Sequence, residues 1–241
     1  MKKIILSFIA FLLIGAGVYE TGVWQKLNPN TETTAKGTID VQSNSTLANI
    51  AYDGKNQVIE VNNNVPSFKK DDLSLTSGNF QHFSDLDSLN RVGKADAVLH
   101  KSMMPTEERE PLYINPTGWK NKKTANGWLY NRCHLIGYQL TGENNNLKNL
   151  MTGTRSLNTP GMLEYENEVA SYLRKTNNHV RYRITPIFRE GELLSRGVQM
   201  EAQSIEDTSI KFNVYVFNVE LGMVLDYKDG TSKKVEVGNN A

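Results

Sequence analysis

The last third of the chain alternates between apolar and polar residues. Val180, Tyr182 and Ile184 interleave with Arg181, Arg183 and Thr185; Val198, Met200 and Ala202 alternate with polar neighbours; Ile210, Phe212, Val214 and Val216 do the same. Successive side chains of a strand point to opposite faces, so a period of two marks strands with one buried face. Asp229-Gly230 is a turn signal inside a final hairpin of roughly residues 222–237. These runs confine the region to antiparallel sheet. Upstream, Gln57–Val61 and Ala95–Leu99 read as further strands, the first broken by Asn62-Asn63-Asn64. Residues 115–127, with Asn115-Pro116, Gly118 and Asn126-Gly127, read as a loop or hairpin. Trp128–His134 reads as a strand running into a loop at Gly137, followed by the polar stretch Thr141–Asn146.

One helix interrupts this pattern. Thr159 suits an N-cap, and Pro160 suits the first helical position, where its missing N–H costs nothing. Leu163, Val169, Ala170 and Leu173 then recur at helical spacing. Glu166 lies on the same stripe, three residues from Leu163 and three from Val169. An inward carboxylate without a partner costs several kcal/mol, so Glu166 must have one. The class is α+β: a central antiparallel sheet flanked by helices.

The beginning of the chain is organised differently. Lys2-Lys3 precede an apolar run from Ile4 to Val18, the pattern of an export signal. The run is shorter than the ~20 residues of a typical membrane-spanning helix, and no A-x-A cleavage site follows it. A cleaved signal peptide and an uncleaved signal-anchor over residues 1–19 both remain open. Residues 20–50, rich in Thr, Asn, Ser and Gly, read as a flexible linker, leaving 51–241 as one folded domain. The expected location is outside the cell, secreted or anchored at the outer face of the membrane. Cys133 is the single cysteine, so no disulfide framework exists. Formal charge is +1, and about −1 once Lys2 and Lys3 are set aside (25 Lys+Arg against 26 Asp+Glu). Bulk charge therefore does not announce a nucleic-acid binder, and any phosphate-binding surface must be local.

The four histidines, His82, His100, His134 and His179, include no pair at H-E-x-x-H spacing. No Walker-type glycine loop and no G-x-S-x-G elbow occur. The segment Asn131-Arg132-Cys133-His134 is different: it resembles the D-R-G-H signature of the DNA/RNA non-specific endonucleases, a ββα-metal family. Asn158 stands 24 residues after His134, Asn149 nine before Asn158, and Glu166 eight after it, in the order and spacing of that family's motifs. Residues 130–188 and 197–227 are especially similar to streptococcal and lactobacillar nucleases that admit DNA to the cell, and to secreted streptococcal DNases. Two positions depart from the signature: Asn131 stands for Asp and Cys133 for Gly.

The resemblance implies a ββα-metal nuclease fold and a metal-dependent endonuclease without sequence specificity, acting on DNA and also on RNA. It implies 5′-phosphate and 3′-hydroxyl products. His134 would be the general base, suited to water near neutral pH by an ordinary pKa of ~6.5. Arg132 would bind phosphate through its forked donors. Asn158 would give one carbonyl oxygen to a hydrated Mg²⁺, with Mn²⁺ as the alternative. Glu166 would hold one of the ion's waters, and Asn149 would brace Asn158 or its loop. Candidate substrate contacts are Arg155, Arg174, Lys175, Lys122 and Lys123, with Lys120, Arg181, Arg183, Arg189 and Arg196 adding to the locally basic stretches. Such phosphate contacts are independent of sequence.

The plainer expectations are these. His82, His100 and His179 are structural, Cys133 fills space, and Trp119, Trp128 and Tyr130 belong to the core. Two rival functions remain. A cysteine hydrolase would use Cys133 as nucleophile and need a histidine within hydrogen-bond reach, which adjacent His134 on a strand would not offer. A nuclease fold kept only to bind DNA at the cell surface would retain nucleic acid without cutting it.

Overall fold

The computed structural model describes residues 37–39 and 44–235. The expected export segment and the first part of the expected linker lie outside the described residues.

In chain order the strands are β1 Gly37–Ile39, β2 Val58–Val61, β3 Phe80–Phe83, β4 Ala95–Leu99, β5 Lys123–Thr124, β6 Gly127–Trp128 and β7 Tyr130–His134. They continue as β8 Leu150–Thr154, β9 Val180–Ile187, β10 Gly197–Ser204, β11 Lys211–Phe217, β12 Met223–Leu225 and β13 Ser232–Lys234. The α-helices are α1 Asn44–Asn49, α2 Tyr138–Thr141 and α3 Leu163–Lys175.

Seven strands form one sheet in the order β1-β2-β11-β10-β9-β4-β3, antiparallel except for β1 beside β2. The registers Met200↔Val214 and Met200↔Ile184, with Ala202↔Phe212 and Ala202↔Tyr182, line up apolar side chains in rows. That face carries the main core, where α3 contributes Tyr165, Val169, Ala170 and Leu173. Tyr165 meets Phe212 with ring centroids 4.9 Å apart. Val169, Ala170 and Leu173 are fully buried, as their spacing predicts. Burying a large aliphatic side chain stabilises by about 1.5–3 kcal/mol, so this stripe anchors α3 to the sheet.

β7 and β8 pair antiparallel as a separate ribbon, with His134 opposite Leu150 and Cys133 opposite Met151. Cys133 and Met151 join the main core. Ribbon and α3 together form a ββα unit on one face of the sheet. The closing hairpin β12–β13 is present, with its ends joined by Asp226 N–H donating to Thr231 C=O at 2.8 Å. Asn62, Asn63 and Asn64 break β2 by taking positive φ in turn (51°, 52° and 61°), a conformation Asn tolerates better than most residues.

Two expectations need correction. Helix α3 does not begin at Pro160. Thr159 is extended (φ −145°, ψ 115°) and caps nothing with its side chain, and residues 157–162 form a wide turn before regular helix starts at Leu163. The expected linker also ends too late. α1 lies within it and buries Leu47 and Ala48 against Ile59, Val61, Tyr215 and Phe217 on the opposite face of the sheet. Two apolar residues in a polar stretch are too few to show a period; only the sheet face they cover reveals their purpose.

Candidate active site

His134 ends β7, and Asn158 lies in the wide turn that precedes α3. Glu166 sits in the first turn of α3, where negative charge is favoured by the helix dipole. Together with Arg132 these side chains line one cleft of about 1170 Å³. Arg109, Trp119, Lys120, Trp128, Tyr138 and Gln139 complete much of its wall.

His134 is buried, and both ring nitrogens are engaged. Nε2 lies 2.8 Å from the Asn144 carbonyl, and Nδ1 lies 3.3 Å from Arg109 Nη2. A carbonyl can only accept and a guanidinium can only donate, so Nε2 carries the proton and Nδ1 the lone pair. Burial lowers the imidazole pKa to about 4; the Asn144 carbonyl opposes this shift and the Arg109 charge adds to it. The ring is held neutral, with its basic nitrogen turned toward the cleft residue Arg109.

Glu166 is buried, and the loss of water raises its carboxyl pKa to about 7, against the opposing effects of Arg109 and Gln139. Asn158 uses its Nδ2 to donate to Thr159 Oγ1 at 3.1 Å, which leaves its carbonyl oxygen available. Among the described residues no group of three or more His, Cys, Asp or Glu side chains gathers to hold a metal. A hard cation in this cleft would therefore take Asn158's oxygen, water, and the influence of the Glu166 carboxylate. That donor set suits a largely hydrated Mg²⁺-like ion, and a nearby cation would return a desolvated carboxyl to its charged form.

Arg132 has part of its fork committed: Nε donates to the Ile114 carbonyl at 2.6 Å and Nη2 to Asn115 Oδ1 at 2.7 Å, with the guanidinium 4.7 Å above the Trp119 ring. It pins the 114–115 loop and leaves the remaining amino group to face the cleft. Asn149 does not reach the cleft. It is fully buried, its Oδ1 accepting from Ile136 N–H (2.9 Å) and its Nδ2 donating to Ile136 C=O (3.1 Å). Asn149 therefore stands outside the catalytic cleft, and the backbone it braces is the segment after His134 rather than Asn158 or its loop.

None of the five candidate substrate contacts lines the cleft. Lys123 and Arg174 border it, Lys123 with Nζ 5.5 Å from the Trp128 ring and Arg174 donating to Gln139 at 3.4 Å. Lys122 is turned to the Ser232 carbonyl. Arg155 donates to the Asn126 carbonyl and lines a smaller depression with Ser156, Thr159 and Glu220. Lys175 is exposed in the last turn of α3, where a cation complements the helix dipole. Arg181 and Arg183 point to the far face of the sheet, both bonded to Asp96 Oδ1 (2.6 and 3.0 Å). Arg189 donates to the Ala48 carbonyl, and Arg196 pairs with Glu192.

Arg109, in contact with His134, was missed by sequence reasoning. It lies 25 residues before His134 in a stretch with no periodicity, and nothing local marks it. Trp128 corrects another expectation: it is 53% exposed on the cleft wall, whereas Tyr130 is buried as expected. Cys133 is fully buried, and burial pushes its thiol pKa far up. A thiol so placed is no nucleophile, and the cysteine-hydrolase reading fails.

The fold is similar to that of solved nucleases. A crystal structure of NucA from Streptococcus agalactiae with no metal bound superposes with a TM-score of 0.69 at 24% identity, over 80% of this chain and 94% of that one. The same protein with magnesium ion bound gives 0.67 at 25% identity, over 74% and 87%. Sda1 nuclease with bound zinc ion gives 0.59 at 29% identity, over 65% and 82%. The family model for DNA/RNA non-specific endonuclease matches residues 69–206, a span that holds His134, Asn158, Glu166 and the strands that carry them. With His134, Asn158 and Glu166 in one cleft and the family model matching more than half of the chain, the chain belongs to the DNA/RNA non-specific endonuclease family.

Proposed function

We propose that this nuclease is a divalent-metal-dependent endonuclease that hydrolyses DNA, and RNA as well, leaving 5′-phosphate and 3′-hydroxyl ends. The observation that carries the reading is His134: a neutral imidazole with its proton fixed on Nε2 and its lone pair on Nδ1, in the same cleft as Asn158 and Glu166. Mg²⁺ is the preferred ion, with Mn²⁺ as the alternative. The structures of NucA with magnesium ion bound and of Sda1 nuclease with bound zinc ion support a divalent ion.

His134 Nδ1 takes the proton from a water attacking the phosphorus in line. The Asn144 carbonyl steadies the ring and stabilises the positive charge that it gains. Arg109, which now donates to Nδ1, is exposed and can turn its amino group to a phosphate oxygen, freeing the base. Arg132 offers its uncommitted amino group to the same phosphate. Asn158 and Glu166 would hold the ion, whose charge would offset that developing on the non-bridging and leaving oxygens. Lys2-Lys3 and the apolar run after them support export, with release or tethering at the outer membrane face.

Plasmid digestion tests the reading. Cutting is expected with Mg²⁺, is expected to stop with EDTA, and is expected to fall by about 10²–10⁴-fold in His134→Ala. A protein that retains DNA and never cuts it over a range of metals and pH would overturn the catalytic claim and leave a surface DNA-binding protein.

A further inference from the structure

Among the described residues, nine large hydrophobic side chains are exposed, and Trp128 is the one of them that also lines the active-site cleft. It sits in the two-residue strand β6, opposite Lys123, in a hairpin turned by Gly127 at φ +106°. Its chain neighbours Leu129 and Tyr130 are buried, so the backbone could have directed a large ring into the core here, yet the indole stays outside. Lys123 Nζ lies over one face of the ring, 5.5 Å from its centroid. The second indole of the cleft, Trp119, has a face covered by Arg132 at 4.7 Å. One wall thus carries two indoles, each beside a cation, of which Trp128 is the more open. Cationic grooves interleaved with open aromatic faces are how proteins hold single strands: the cations track phosphates, and each base stacks on a ring whatever its identity.

We propose that Trp128 is a stacking platform for an unpaired nucleobase next to the scissile phosphate, giving the cleft extra hold on single-stranded or locally opened nucleic acid. Bases in a closed duplex already stack on one another and offer no free face to the indole. Lys123, beside the ring, meets the phosphate of the stacked nucleotide. This deepens the nuclease reading and takes from it only where the scissile phosphate lies.

Binding in EDTA tests the platform separately from cutting. The full chain is titrated with a short single-stranded oligodeoxynucleotide, with the corresponding closed hairpin duplex, and with the same single strand made abasic throughout. Trp128→Ala is expected to weaken single-strand binding by about ten-fold, to leave duplex binding within two-fold, and to be largely rescued in Trp128→Phe. The wild-type protein is expected to bind the abasic strand about ten-fold more weakly than the intact one, a comparison that does not depend on any variant folding. Equal losses on single strand and duplex, or equal wild-type affinity for intact and abasic strands, would overturn the proposal. Absence of cutting with Mg²⁺ would count against the catalytic reading alone.

Discussion

The carboxylate of Glu166 occupies the space that a β-carbon on residue 137 would need: an ideal Cβ built on Gly137 lies 2.5 Å from Glu166 Oε2. Gly137 has φ −59°, which alanine adopts as readily, so its absence of a side chain serves room rather than backbone freedom. Gly137→Ala is expected to displace the Glu166 carboxylate from the cleft floor and to lower cleavage by about 10–100-fold at limiting Mg²⁺, the usual scale for disturbing a group that supports a metal site. A double-mutant cycle with Glu166→Gln checks the route. Little further loss is expected when both changes are combined, because they remove the same feature; additive losses would mean that Gly137 acts elsewhere.

His134 should make the native protein sensitive to moderate acid. Its folded pKa of about 4 lies below the ordinary 6.5, so between these values the unfolded chain binds a proton that the folded chain refuses. Stability from this group is full above pH 6.5, declines as pH falls toward 4, and declines no further below that; the total is about 3 kcal/mol. Glu166, raised to about 7, slopes the other way over part of the range, favouring the fold at lower pH. The comparison that isolates His134 is therefore wild type against His134→Asn in urea denaturation from pH 4 to 7. The difference in stability is expected to grow with pH, and a constant difference would show that the histidine is not desolvated.

Cys133 stands where the family signature has glycine, and the structure shows what accommodates it. An ideal Cβ on Gly153 would lie 2.4 Å from Cys133 Sγ, so the thiol uses space that a side chain at 153 would otherwise take. Gly153→Ala is expected to destabilise by about 1–3 kcal/mol through overpacking, and Cys133→Gly in the same chain to recover part of that in thermal melts. Alkylation of the native protein with iodoacetamide is expected to leave cleavage unchanged, since Cys133 is inaccessible.

The arginines of β9 are expected to matter for folding and not for substrate. Asp96 accepts from Arg181 and Arg183 and also meets Lys94 at 2.6 Å, on the sheet face away from the ribbon and α3. Asp96→Ala leaves the buried Arg181 guanidinium without its carboxylate, while Arg183 keeps Glu201 at 3.7 Å, and is expected to cost about 3–5 kcal/mol. Arg183→Gln is expected to leave the salt dependence of DNA binding unchanged, because no phosphate contact is lost. A shallower salt slope in that variant would place β9 in the substrate path after all.

The arrangement of His134, Asn158 and Glu166 could be read from the chain because their spacing is local: a strand end, a turn and the first turn of a helix follow one another within 33 residues. Arg109 could not, since it reaches His134 from a stretch without periodicity, and only folding brings the two together. The basic residues show the same limit from the other side. Arg181 and Arg183 alternate with core residues, so the pattern places them on the face opposite the core, but it does not say that Asp96 and Glu201 wait there to pair with them. Asn149 was recognised by spacing, yet its work, bonding both backbone groups of Ile136, depends on the β7–β8 ribbon being formed.

By itself the sequence determined the antiparallel strands, the inward face of α3, the motif residues and hence the family, because hydrophobic period and motif spacing are properties of neighbouring residues. Tertiary structure alone decided which cations face the cleft and which are paired away from it. It also decided that Trp128 stays in solvent, that residues 44–49 cover the sheet, and that His134 is held neutral. The physical reason is common to all of these: burial, desolvation and ion pairing depend on what lies across space, and a linear pattern records only what lies along the chain.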